Sequence, residues 1–172
     1  MTWTAPSPAP LADGPLTGPD RPILEAFLAW ERHTLLNVCA GLTGEQLARR
    51  AIPPSNLSLF GLVRHLAKVE RIWLRQRAGR EPIPGLYPAE RGKDADFDDL
   101  DPASAAEDFA RYEEECRLGD AAVANLSFDD TLEVHGEAFS LRMVYVHLIG
   151  EYSRHNGHAD LLREVIDGRT GR

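Results

Sequence analysis

Apolar residues recur at intervals of three and four in four separate stretches, and no stretch alternates every second residue for any length. That period belongs to the helix, where such residues share a face, and not to the strand. It predicts a first helix over about Pro22–Ala40, with Asp20 as cap and Leu24, Phe27, Leu28, Leu35 and Val38 as its stripe. A second is expected over Ser58–Gly79, capped by Ser58, with Leu59, Leu62, Val63, Leu66, Val69 and Trp73 facing inward. A third starts at Asp101-Pro102 and runs through Phe109, Tyr112, Cys116 and Val123 to Leu126. The fourth runs from about Ser140 to Asp167, with Gly168 where a C-terminal glycine belongs.

The intervening stretches are Pro53-Pro54, an irregular Glu81–Leu100 and Ser127–Phe139. Thr43-Gly-Glu-Gln46 has the form of a capping box for a short extra helix, and Thr131–Val134 suits a short strand. The acidic run Gly92–Asp101 is expected to be a solvated connector. Four amphipathic helices are most simply satisfied by an all-α fold, an antiparallel four-helix bundle with long loops. The expected organisation is a proline-rich N-terminal extension, residues 1–20, followed by the bundle, residues 21–172.

Composition narrows the function classes. With 43% apolar and 27% charged residues among 172, the chain is globular rather than disordered. No run of about 18 apolar residues occurs, so no membrane span is expected, and the N-terminus lacks the basic start and apolar stretch of a secretory signal. Two cysteines, Cys39 and Cys116, with no close pair, argue against a disulfide scaffold and a thiolate zinc site. They suit a cytoplasmic protein. An excess of 27 acidic over 19 basic residues, without a basic cluster, argues against a nucleic-acid partner.

Glycine-rich phosphate loops, nucleophile elbows and H-E-x-x-H are absent, which leaves the six histidines as the chemistry-bearing residues. Three of them, His147, His155 and His158, surround Glu151 in the fourth helix. Positions four apart lie about 40° apart around a helix, so Glu151 and His155 both point towards the bundle interior. His147 points outward, and His158 lies on the margin behind them. Burying a carboxylate and an imidazole one turn apart costs several kcal/mol unless something compensates, and a divalent cation would. A hydrogen-bonded Glu–His pair without metal satisfies the same pattern. A third ligand would come from another helix. His65, on the edge of the second helix's stripe, is a candidate that an ordinary polar residue would equally explain. Glu70 and Glu31 fall inside apolar stripes. Each would either orient a ligand histidine from behind or pair with Arg64, Arg154 or the Trp73 indole; the pairing suits Glu31 better, while Glu70 stays open.

The segments Gly61-Leu-Val-Arg-His-Leu-Ala-Lys-Val-Glu70 and His147-Leu-Ile-Gly-Glu-Tyr-Ser-Arg-His-Asn-Gly-His-Ala-Asp-Leu-Leu-Arg163 resemble the DinB-like superfamily, especially its actinobacterial mini-circle-type branch. The resemblance spans about Pro22 to Gly168. It implies an up-down-down-up four-helix bundle carrying one metal, with one ligand from the second helix and two from the fourth at i and i+4. His65, Glu151 and His155 occupy those three positions. Many members have histidine where this chain has Glu151, and the His/Glu/His set is similar to that of mycothiol-dependent maleylpyruvate isomerases, which are zinc enzymes. A place that often holds glutamine in the family is His158 here, which leaves its role open. The resemblance also makes a homodimer an expectation.

Two neutral imidazoles and a carboxylate on Zn²⁺ leave a net charge near +1 and an open fourth position, the pattern of a catalytic zinc. Nickel and iron also suit these donors. With a mycothiol-type thiol as cofactor and a small electrophile as substrate, such a site would serve a transferase or isomerase. A metal-dependent hydrolase and a non-enzymatic, stress-associated metal-binding bundle are the alternatives. Cys39 and Cys116 are expected to be packing residues. The Glu81–Tyr87 segment would border the open side of the metal or serve as a mere connector.

Overall fold

The computed structural model describes residues 2–87, 90, 92 and 94–170, so residues 88, 89, 91 and 93 of the irregular connector lie outside the described residues. The chain is mostly helical with one small antiparallel hairpin. Its elements are α1 (Asp20–Cys39), α2 (Gly44–Ala48), α3 (Leu59–Glu70), α4 (Ala95–Asp98), α5 (Ala105–Val123), β1 (Thr131–Val134), β2 (Glu137–Ser140) and α6 (Leu141–Asp167).

Local chemistry accounts for most of the boundaries. The Ser58 hydroxyl accepts the Gly61 N–H and starts α3, and Ser140 does the same for α6 through Met143. Thr43 and Gln46 close the capping box on α2 from both sides. Gly168, at φ +79°, ends α6 in the left-handed conformation that favours glycine. Asp101 caps a 3₁₀ turn, Pro102–Ser104, that leads into α5.

The structure corrects three expectations. Asp20 is the first residue of α1 and caps nothing; its carboxylate accepts from Arg142 at the start of α6. The second helix is regular only to Glu70. It continues over Arg71–Ala78 as a π-helix, with the Gly79 N–H reaching back five residues to the Leu74 carbonyl at 2.8 Å. Here Arg71 and Arg75 both reach the buried Glu115 of α5, at 2.5 and 3.1 Å. Third, β1 has a partner strand that the all-α expectation omitted. His135 and Gly136, at φ +54° and +83°, make the tight turn joining Val134 to Glu137.

Four long helical segments enclose the core. Leu28 and Leu35 of α1, Leu62 and Leu66 of α3, Phe109 and Val123 of α5, and Val144, Leu148 and Ala159 of α6 are all buried. Each of these leucine, valine and phenylalanine side chains taken from water contributes about 1.5–3 kcal/mol. Polar contacts fix the registers. Asp20, Glu31 and Val38 of α1 meet Arg142, Asn156 and Arg163 of α6 in that order. Arg64 and Arg71 meet Asp108 and Glu115 of α5. Between α3 and α6 the order reverses: His65 lies by His155, Glu70 by Tyr152 and Trp73 by His147.

The first residues also pack on this body. Ala5 is buried and exchanges backbone hydrogen bonds with Leu42 and Gly41, and Trp3 meets the Phe109 ring edge-on at 5.4 Å.

Candidate metal centre

The reversed order of α3 and α6 brings His65 to Glu151 and His155. Each offers one ligand atom, and these atoms lie within 4.8 Å of one another. His155 Nε2 is 3.6 Å from the Glu151 carboxylate, and the His65 and His155 rings meet edge-on at 4.8 Å between centroids. The side chains are 22% (His65), 22% (Glu151) and 11% (His155) exposed, so the group sits at the rim of the core with one side open. Ligand bonds of about 2.0–2.2 Å put the donors of a tetrahedral ion roughly 3.3–3.6 Å apart. The observed group lies within a small side-chain shift of that. Two imidazoles and one carboxylate also match the donor chemistry of a divalent cation, so the group can hold a metal.

The electrostatics suit the same role. Burial, with His65 beside it, lowers the His155 imidazole to about pH 4, so near neutrality it carries an unprotonated nitrogen. Arg154 approaches Glu151 only to 4.0 Å and is itself largely exposed, so it does not neutralise that carboxylate.

His158 lies outside the converging trio. Its Nδ1 is 3.4 Å from His155 Nδ1, on the side away from Glu151. The His147 ring lies against Trp73, tilted by 49° with centroids 4.3 Å apart, and burial lowers its pKa. The Glu81–Tyr87 segment bonds elsewhere: the Tyr87 hydroxyl donates to Asp108 at 2.8 Å, and its ring lies 4.1 Å from the Arg64 guanidinium.

Glu70 does not stand behind a ligand histidine. It is fully buried, and its carboxylate accepts from Arg32 at 2.7 and 2.8 Å and from the Tyr152 hydroxyl at 2.8 Å. Glu31 accepts from Ser153 and Asn156. Arg64, one of the expected partners for these acids, instead pairs with Asp108.

The acceptor at His65 comes from the acidic run expected to be a solvated connector. Asp96 is 1% exposed, and its Oδ2 lies 2.8 Å from His65 Nδ1. Lys68 reaches Oδ1 at 3.2 Å. Burial alone would raise this carboxyl, but the hydrogen bonds from His65 and Lys68 hold it below its ordinary value. Five aspartates within eight residues hid which one turns inward. The available signal was local: of the four aspartates ahead of the Asp101-Pro102 helix start, only Asp96 lies between apolar neighbours, Ala95 and Phe97.

A helical scaffold with a half-open His/Glu/His group at its rim defines the class, a helical protein with a candidate metal centre. Residues 23–168 match the family described as Mycothiol-S-transferase, and the chain belongs to that family. No curated protein and no solved structure matches it. No helix among the described residues is long and apolar enough to cross a membrane.

Proposed function

We propose that the protein is a metal-dependent thiol S-transferase that joins a mycothiol-type thiol to a small electrophile. The observation that carries this reading is the convergence of His65, Glu151 and His155 in a chain of the mycothiol-S-transferase family. These three residues would hold the cation, with zinc the favoured ion and nickel or iron suited to the same donors. Such an ion supplies Lewis acidity that favours the deprotonated form of a thiol near neutral pH.

The chain's own residues supply the setting. His155, neutral near pH 7, and the partly exposed Glu151 present their ligand atoms close to that of His65. Cys39 is buried, and burial pushes its thiol up to about 12; burial and the Glu70 charge likewise raise Cys116. Neither is a ready nucleophile, so the sulfur that attacks belongs to the added thiol. Its proton is released to solvent; as the carbon–sulfur bond forms, the electrophile's carbon–leaving-group bond breaks and the leaving group departs with that electron pair, or, at a conjugated double bond, the π bond opens and the neighbouring carbon takes a proton from solvent.

In the same reading the four long helices form an up-down-down-up bundle. Contacts that advance together between α1 and α6 and between α3 and α5, but in reverse between α3 and α6, support it. A cytoplasmic location and a homodimer complete the reading.

The test is turnover of a chromogenic electrophile with and without added mycothiol, in wild type and His155→Ala. Thiol-dependent turnover lost in the variant is expected. Turnover indifferent to the thiol would overturn the proposal.

A further inference from the structure

We propose that Asp96 is a positioning residue for the candidate metal centre, fixing which nitrogen of His65 faces Glu151 and His155. The inference rests on the metal reading above and adds a residue outside the trio.

A neutral imidazole carries one N–H, and the acceptor it meets decides which nitrogen holds that proton. Asp96 Oδ2, 2.8 Å from His65 Nδ1, takes the Nδ1–H and leaves the lone pair on Nε2. The second oxygen of Asp96 is taken by Lys68, so the carboxylate has little freedom to turn away.

The surrounding turn holds the ring from a second side. Phe97, the next residue, stacks on His65 with centroids 4.9 Å apart and planes 28° apart. The buried Arg64 donates to the backbone carbonyls of Ala95 and Asp96 at 3.1 and 3.2 Å, pinning the short α4. At Gly61 an added Cβ would come within 3.0 Å of the Phe97 ring, so this glycine allows the close approach.

Stability alone does not account for the arrangement. Burying a carboxylate is expensive even when paired, and a Lys–Asp pair could form at the surface without that cost. What burial adds at this position is a fixed aim for His65.

The experiment titrates metal-free protein with Zn²⁺ against a chromogenic chelator, in wild type, Asp96→Ala, Asp96→Asn, Lys68→Ala and His65→Ala. Loss of an acceptor behind a metal-bound histidine typically costs about 10–100-fold in affinity, and that loss is expected for Asp96→Ala. Asp96→Asn keeps the side-chain shape, should the alanine variant fail to fold, and a smaller loss in the same direction is expected. Lys68→Ala, which loosens the Asp96 carboxylate but leaves the acceptor in place, is expected to lose clearly less affinity than Asp96→Ala. In metal-free protein, long-range ¹H–¹⁵N imidazole spectra should show His65 protonated at Nδ1 in wild type and shifted to the Nε2–H form in Asp96→Ala. If His65→Ala loses zinc while both Asp96 variants keep wild-type affinity, the role of Asp96 is overturned and the metal centre stands. Equal losses in Lys68→Ala and Asp96→Ala would also overturn it, since both would then act only through the ion pair. If His65→Ala binds zinc as tightly as wild type, the metal reading fails first.

Discussion

Tyr152, which follows Glu151 in α6, donates its hydroxyl to the fully buried Glu70 of α3 at 2.8 Å. The same carboxylate receives both arms of Arg32, whose guanidinium also reaches Asp120 of α5, and the Tyr112 hydroxyl lies 2.9 Å from that of Tyr152. One polar knot therefore joins all four long helical segments behind the candidate metal centre. Removing one partner of a buried ion pair leaves the other uncompensated, at roughly 3–5 kcal/mol. Arg32→Ala is expected to lower the urea midpoint accordingly with an unchanged slope. Asp120→Ala, which removes a half-exposed partner, should cost under about 1 kcal/mol.

Metal content checks the trio directly. Wild-type protein purified without chelator is expected to carry close to one equivalent of zinc, nickel or iron by elemental analysis. The His65→Ala/Glu151→Ala/His155→Ala variant should carry none above background. Equal content in the two would show that these side chains hold no ion.

The cysteines should be silent. Alkylation needs the thiolate, and burial raises both thiols, Cys39 to about 12 and Cys116 further. Mass spectrometry after iodoacetamide at pH 8 should find neither residue modified in folded protein and both modified in urea. Cys39→Ala/Cys116→Ala is expected to retain thiol-dependent turnover.

How far the sequence could be read depended on the range of the interaction. The caps at Ser58, Thr43, Ser140 and Gly168 are made with residues two to four positions away, so they are visible in short motifs. The i, i+4 spacing of Glu151 and His155 shows their shared face. That His65 meets them depends on how two helices separated by some seventy residues pack, and the resemblance rather than the periodicity pointed there. Asp96 and Arg32 were illegible for the same reason. Each is a charged residue whose burial is justified by partners nearly thirty or more positions away. The second strand left one local trace, the His135-Gly136 pair that the turn requires.

Asp160 gives a pH-dependent expectation. Its Oδ1 is buried with no hydrogen-bond partner among the described residues, and burial raises its pKa. A carboxyl raised on folding binds its proton more tightly in the native state. Stability is therefore lost as pH climbs from the ordinary carboxylate range through the raised value. Asp160→Asn removes that penalty. It should melt at a higher temperature than wild type at pH 7, with the gap closing in acid.

The π-helix at Arg71–Ala78 has a consequence for this arm of the molecule. Its wider turns advance the side chains out of step with α3; within it Leu74 is fully buried, and Trp73, assigned to the inner stripe by strict α-helical counting, is only partly buried and lies against His147. Deleting a single residue there would reset the phase and swing every later side chain of the arm to a new bearing. A chain of this kind can thus exchange the side chains that follow Glu70 through one indel, while His65, upstream of the break, keeps its station.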